Sequence, residues 1–242
     1  MENLKQKFYE RWYYEPHFKQ KFFGAITLLV IGIFLVLSPT ITKHLINSYQ
    51  PNITKKEIAK NQKTPGEYNY ADVKKLSLAN VAQARAQAGN IKIIGEIAIP
   101  ADHIHIPIAK GITNTTLALS AGTFREDMKM GHGNYALAGH NMANYSPILF
   151  SPLYDYAKKG QKIYITDLTN VYTYTIYQRK IINPSDVQVV KNTKQSITTL
   201  VTCDETGNKR LMVRGYLSDK QKLKNAPKHI QNLFKHKYTN RT

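Results

Sequence analysis

From Phe22 to Thr42 the chain carries no charge, and its heart, Phe22 to Leu37 extended by Ser38 to Ile41, is apolar on every side of a helix. About 20 such residues cross a bilayer. No Ala-x-Ala-like cleavage site follows the run, so an uncleaved signal anchor fits better than a removable leader. A buried core helix rarely stays apolar all round for this length. Residues 43–71 are polar, lysine-rich and broken by Pro51, Pro65 and Gly66, which reads as a stalk. Asp72 then opens a helical pattern through Val73, Leu76, Leu78, Val81, Ala82 and Ala84 to Ala88, with Asp72 as N-cap and Gly89 as C-cap.

After Asn90 the period shortens toward two. Strands are predicted over Lys92–Ile99, His103–Ile108, Thr116–Ala121, Asn134–His140, Lys162–Thr166, Val171–Ile182, Ser196–Cys203 and Arg210–Leu217. In the second, His103 and His105 face away from the isoleucines. A helix-like interlude runs from Pro147 to Ala157. About eight short strands with few helices describe a closed barrel or a sandwich. The layout is therefore a tail over 1–21, a transmembrane anchor over 22–42, a stalk over 43–71, a β-rich domain over 72–218 and a basic tail over 219–242, the last read as solvated and partly frayed.

Composition adds a partner class. A net charge of +18 points to a polyanionic neighbour. The basic residues are spread along the chain with no phosphate loop, zinc-finger spacing or RNA-binding motif, so nucleic acid is not expected, and an anionic membrane or cell wall fits. Charge leaves orientation across the membrane open, because Lys7, Arg11, Lys19 and Lys21 before the span face Lys43, Lys55 and Lys56 after it.

The chain has one cysteine, Cys203, so no disulfide can form within it. A free cysteine is most often a packing residue. Here the run before it is polar at Ser196, Thr198, Thr199 and Thr202, and Asp204 to Asn208 announce a turn, which puts the thiol at the accessible lip of a strand. A thiol nucleophile needs a proton acceptor and an oxyanion stabiliser. His140 ends another predicted strand, and Arg210 opens the strand after the turn, with Lys209 and Arg214 competing for its place. His103, His105, His132 and His140 lack ligand spacing for zinc, and Glu126 with Asp127, flanked by Arg125 and Lys129, make a weak calcium site.

These residues resemble a known family. Thr199-Leu200-Val201-Thr202-Cys203 matches the TLxTC signature of sortases, and Leu137-Ala138-Gly139-His140 resembles their histidine-bearing strand. Ser120 to Thr123, Phe150 to Leu153, Lys162 to Asp167, Val171 to Tyr174 and Arg210 to Gly215 are similar to class A sortases of streptococcal and lactic-acid-bacterial type.

The resemblance implies an all-β, eight-stranded barrel with a few short helices behind an N-terminal transmembrane helix. It implies a transpeptidase that cleaves an LPxTG-like sorting signal between Thr and Gly and joins the surface protein to an amino group of a peptidoglycan precursor. Cys203 would be the nucleophile, His140 the general acid and base, and Arg210 the substrate and oxyanion clamp, with Thr202 assisting. Ala138 and Val201 match groove-lining positions, and Asn183 to Thr193 the loop that closes over the leucine–proline end. Asn141 stands where some relatives carry a second histidine. The domain would lie outside the membrane and the N-terminus in the cytoplasm, with no cofactor required. A hydrolase on the same scaffold and a non-catalytic wall-binding module are the alternatives.

Overall fold

The computed structural model describes residues 2–14, 17–70, 73–142, 147–204 and 206–238. Two compact units divide it, Met1–Ile41 and Thr42–Thr242. In the first, α1 (Glu2–Tyr14) precedes the start of α2 (Phe18–Asn47), and Trp12 meets Phe22 edge-on at 5.4 Å between ring centres. α2 is long enough and apolar enough to cross a bilayer.

The second unit is a closed barrel. Among the described residues its strands are β1 (Ile93–Ile99), β2 (Ile104–Ala109), β3 (Ala121–Thr123), β4 (Asn134–Ala138), β5 (Lys162–Thr166), β6 (Asn170–Ile182), β7 (Ile197–Cys203) and β8 (Arg210–Lys222). They close in the order β1-β2-β3-β4-β7-β8-β6-β5. β2 with β3 and β4 with β7 are parallel pairs, and the others are antiparallel. Ile97, Ile99, Ile104, Ile108, Leu137, Ile163, Leu200 and Val213 belong to one buried core. Closure removes the sheet edges that an open sheet would expose.

The segment read as a stalk is largely folded. α3 (Lys55–Lys63) starts at a capping box in which Thr54 accepts from the Glu57 amide and Glu57 accepts from the Thr54 amide. Its Ile58 is 2 % exposed, and Asn61 donates to the Ile93 carbonyl at 2.8 Å, which fastens the helix along β1. Burying an isoleucine stabilises by about 1.5–3 kcal/mol. The polar composition of the segment reflects the outer face of this helix and the loops around it.

The helix placed at Asp72 begins later, as α4 (Leu78–Ala86), capped by Ser77, whose side chain accepts from the Asn80 amide at 3.2 Å. Asp72 itself lies outside the described residues, and Gly89 sits inside a following 3-10 turn. Thr116–Ala121 is not a strand. α5 (Asn114–Leu119) occupies it because Thr113 caps the Thr116 amide, and Thr116 to Leu119 are buried consecutively, with no alternation. The short β3 follows it, three residues being too few to show a period. The interlude after Pro147 contains α6 (Ser151–Tyr156).

The basic C-terminal segment is also ordered where described. β8 runs on to Lys222, and α7 (Lys228–Leu233) buries Ile230 against Val171 and Ala226. Tyr238 exchanges two hydrogen bonds with Gln50, at 2.7 and 2.9 Å. The two histidines of the second predicted strand part company. His103 takes a left-handed turn with φ 54°, while His105 is buried and pairs with Glu96 of β1 at 2.8 Å.

Candidate active site

The TLxTC run is β7, and its threonines explain its position. Thr198 and Thr199 are fully buried. Thr198 donates to the Tyr135 carbonyl at 2.8 Å and Thr199 to Asn134 Oδ1 at 2.7 Å, so both hydroxyls lock β7 to β4. These two polar positions before the cysteine are therefore buried and satisfied within the barrel. Burial persists through Thr202, and only Cys203 emerges, half-buried, at the end of the strand.

Register brings the predicted partners to that end. β4 and β7 run parallel with Ala138 beside Val201, so His140 and Cys203, each two residues further on, leave the sheet at the same level. Gly139 continues the pairing, its amide donating to the Val201 carbonyl at 3.1 Å. A side chain there would collide with the Phe150 ring, 2.5 Å from where a Cβ would stand. On the other flank β8 returns antiparallel and sets Arg210 directly opposite Cys203. Asp204 builds the turn between them, accepting from the Lys209 amide at 3.1 Å and the Thr206 hydroxyl at 2.9 Å.

Cys203, His140, Arg210, Thr202, Val201 and Ala138 all line one cavity of about 500 Å³. Its remaining walls are largely apolar, including Ile112, Leu117, Phe124 and, from the loop between β6 and β7, Pro184, Val187 and Val190. That loop is fastened by three buried or half-buried side chains. Asn134 donates to the carbonyls of Val189 and Lys191, both at 2.9 Å, Arg214 donates to Val189 at 2.9 Å, and Arg125 donates to Val190.

Arg210 is thereby separated from its competitors. Arg214 is committed to Val189 and Thr199, and Lys209 to Asn183, at 2.5 Å. The Arg210 guanidinium is steadied by the turn carbonyls of Gly207 and Lys209, both at 2.9 Å, and borders the cavity. His140 is 8 % exposed, and burial pushes its imidazole down to about 4, so it is neutral at pH 7. The Thr202 hydroxyl is buried with no hydrogen-bond partner among the described residues. An orphaned hydroxyl at a cavity wall costs stability unless a ligand satisfies it.

A family model for the sortase domain matches residues 97–218. The chain belongs to the sortase family. It is 38 % identical over 225 residues to sortase A of Streptococcus agalactiae, covering 88 % of this chain and 91 % of that one. To sortase A of Listeria monocytogenes it is 35 % identical over 217 residues, covering 87 % of this chain and 96 % of that protein. The solved structure of the Listeria monocytogenes sortase A is 40 % identical, with a TM-score of 0.54, over 58 % of this chain and 94 % of that one. Fold and relatives make it a class A sortase, a transpeptidase of cell-wall anchoring.

This sortase has site features its sequence concealed. Asn141 donates from its side-chain amide to the Cys203 carbonyl at 2.9 Å, tying the loop after β4 to the end of β7. Tyr70, from the segment read as a stalk, and Val73, from the pattern read as a helix, line the cavity. No local signal marked these contacts, since they depend on long-range register. Two of the four histidines weighed as metal ligands have other partners: His105 has Glu96, and His103 meets Tyr156 edge-on at 6.4 Å. Glu126 accepts from Lys110, at 2.5 Å, and from the Gly66 amide, and Lys110 above all holds its carboxyl below the ordinary range.

Proposed function

We propose that this sortase cleaves an LPxTG-like sorting signal between Thr and Gly through a Cys203 thioester and transfers the threonine acyl group to an amino group of a peptidoglycan precursor. The observation that carries the reading is the flanking of Cys203 by His140 across a parallel pair and by Arg210 across an antiparallel one, at one cavity. In this sequence of steps the Cys203 thiol supplies the proton that His140 later delivers. His140 takes that proton, and the Cys203 sulfur attacks the threonine carbonyl carbon. The carbonyl oxygen gains the negative charge, which Arg210 and the Thr202 hydroxyl stabilise.

Collapse of the tetrahedral intermediate breaks the C–N bond while His140 gives its proton to the departing glycine amine. The acceptor amine then attacks the thioester, His140 takes its proton, and the thiol is restored as the new amide forms. Ala138 and Val201 form the floor against which the peptide backbone lies, and the 183–193 loop covers its apolar end. None of these steps requires a metal or cofactor. α2 anchors the enzyme as a single span with the catalytic unit on the outer face, where sorting substrates and wall precursors meet.

The test is mass spectrometry of products from a sorting peptide offered a panel of amines. Transfer to an amine supports the reading. Release of the free carboxylic acid alone would make the enzyme a hydrolase, and a product formed equally well by Cys203→Ala would sink the thioester. The variant should lose at least about 10³-fold in kcat/KM.

A further inference from the structure

Tyr70 and Val73 line the cavity, and the residues beside them, 67–69 and 74–75, are tied to the elements around it. The Ile112 amide donates to the Glu67 carbonyl at 2.7 Å and the Asn69 amide to the Ile112 carbonyl at 2.9 Å, with Tyr68 in a parallel bridge to Ile112. Gly111 makes room for this crossing. Its φ is +95°, and a Cβ there would stand 2.3 Å from the Glu67 carbonyl oxygen. Further on, the Lys74 amide donates to Asn114 Oδ1 at 2.7 Å, and the Lys75 side chain lies beside Gly207 of the turn between Cys203 and Arg210.

Tyr70 is the informative residue. Its ring stacks on Phe124 with centres 6.1 Å apart and planes 15° from parallel, and its hydroxyl donates to the Phe124 carbonyl. Burial raises its phenol above the ordinary value, and the charge of the neighbouring Arg125 opposes this. Despite these restraints the side chain stays about half exposed, 51 %, and it borders the cavity together with Val73. An anchored aromatic with an open face loses little entropy when it receives an apolar partner.

The location says which part of a substrate that partner is. Arg125, next to Phe124, donates to the carbonyl of Val190, and Pro184, Val187 and Val190 of the same loop line the cavity. Tyr70 therefore stands on the side of the β6–β7 loop, and Lys75 on the side of the catalytic turn.

We propose that Tyr70 and Val73 form an additional wall of the substrate groove that contacts the apolar leucine–proline end of the bound sorting peptide, with Tyr70 a specificity-determining residue. This rests on the sorting-signal reading above and extends it to a segment outside the barrel strands. The peptide's leucine gains from Tyr70 a surface that a smaller side chain cannot reach.

The experiment measures kcat and KM of the full chain in detergent micelles for two quenched fluorescent peptides, one with Leu-Pro-x-Thr-Gly and one with its leucine replaced by alanine. Tyr70→Ala is expected to raise KM for the leucine peptide about five- to tenfold, to leave kcat within about twofold, and to narrow the leucine-to-alanine preference by a similar factor. Tyr70→Phe keeps the ring and the wild-type preference, and Val73→Ser shifts KM in the same direction by about two- to threefold. An unchanged preference in Tyr70→Ala overturns the proposal, whether kcat/KM is unaltered or falls equally on both peptides. A wild-type enzyme that cleaves neither peptide would remove the sorting-signal reading, and the proposal with it.

Discussion

His140 and His105 are equally buried, each 8 % exposed, yet their surroundings are opposite. His105 has Glu96 at 2.8 Å, lies 4.9 Å from the Tyr238 ring and 5.7 Å from Phe234, and is covered by the C-terminal segment. Tyr238 also hydrogen-bonds Glu96, and its phenol is raised by burial and by that carboxylate. His140 has a cavity in front of it and no ring hydrogen bond among the described residues. Burial supported by a carboxylate fixes an imidazole as structure, whereas burial without one leaves a neutral ring whose nitrogens are free for a proton transfer.

Exchanging the two histidines for alanine gives the widest separation. His140→Ala should cost about 10²–10⁴-fold in kcat/KM on a sorting peptide, while His105→Ala stays within about threefold and loses stability instead. Equal losses of activity in both would end the distinction.

The next contrast is in pH. With its folded value at about 4 against 6.5 when exposed, His140 favours folding only where it is neutral. Stability from this group is therefore full above pH 6.5 and declines as the pH falls toward 4, by on the order of 3 kcal/mol. His140→Gln should remove that decline in urea midpoints measured across the range. Asp102, fully buried in the turn between β1 and β2 and pushed up to about 7 by burial, works in the other sense. It holds its proton in the fold, so its contribution is present below its exposed value of 3.8 and is lost as the pH rises through 7. Asp102→Asn should accordingly raise the midpoint at pH 8 relative to wild type.

Smaller again is the effect of the carboxylate. Glu96→Gln keeps a hydrogen bond to His105 but removes the charge, and should lower unfolding free energy at pH 7 by about 1–2 kcal/mol with kcat/KM unchanged. Asn141→Ala tests the catalytic end most gently. Loss of its bond to the Cys203 carbonyl should lower kcat/KM about three- to tenfold, read in the same peptide assay, with unfolding midpoints close to wild type.

Legibility in the sequence followed how local each cause was. The apolar run from Phe22, the β texture after Asn90 and the boundaries of β5, β7 and β8 at the catalytic end were readable because period and turn residues express them within a few positions. α5 was misread as a strand because Thr116 and its neighbours have β-branched character while the cap at Thr113 decides the backbone. The burial of the β7 threonines was not legible because a polar run does not record the buried acceptors, the Tyr135 carbonyl and Asn134, that satisfy it. The lysine-rich segments at 43–70 and 219–238 looked loose because a helix that buries one isoleucine, Ile58 or Ile230, has too little apolar surface to show a period.

The sequence by itself determined the chemistry available: one thiol at a strand end, a histidine after small residues, and an arginine seven positions beyond the thiol. It also determined the resemblance that named the reaction, because a five-residue signature is a local object. Only the tertiary structure decided which groups act together. Parallel pairing of β4 with β7 aligned His140 with Cys203, antiparallel return of β8 placed Arg210 opposite, and Arg214 and Lys209 were spent on the 183–193 loop. Those outcomes rest on register between strands some 60 residues apart in sequence, as Thr198 and Tyr135 are, and on buried hydrogen bonds that form only when the barrel closes.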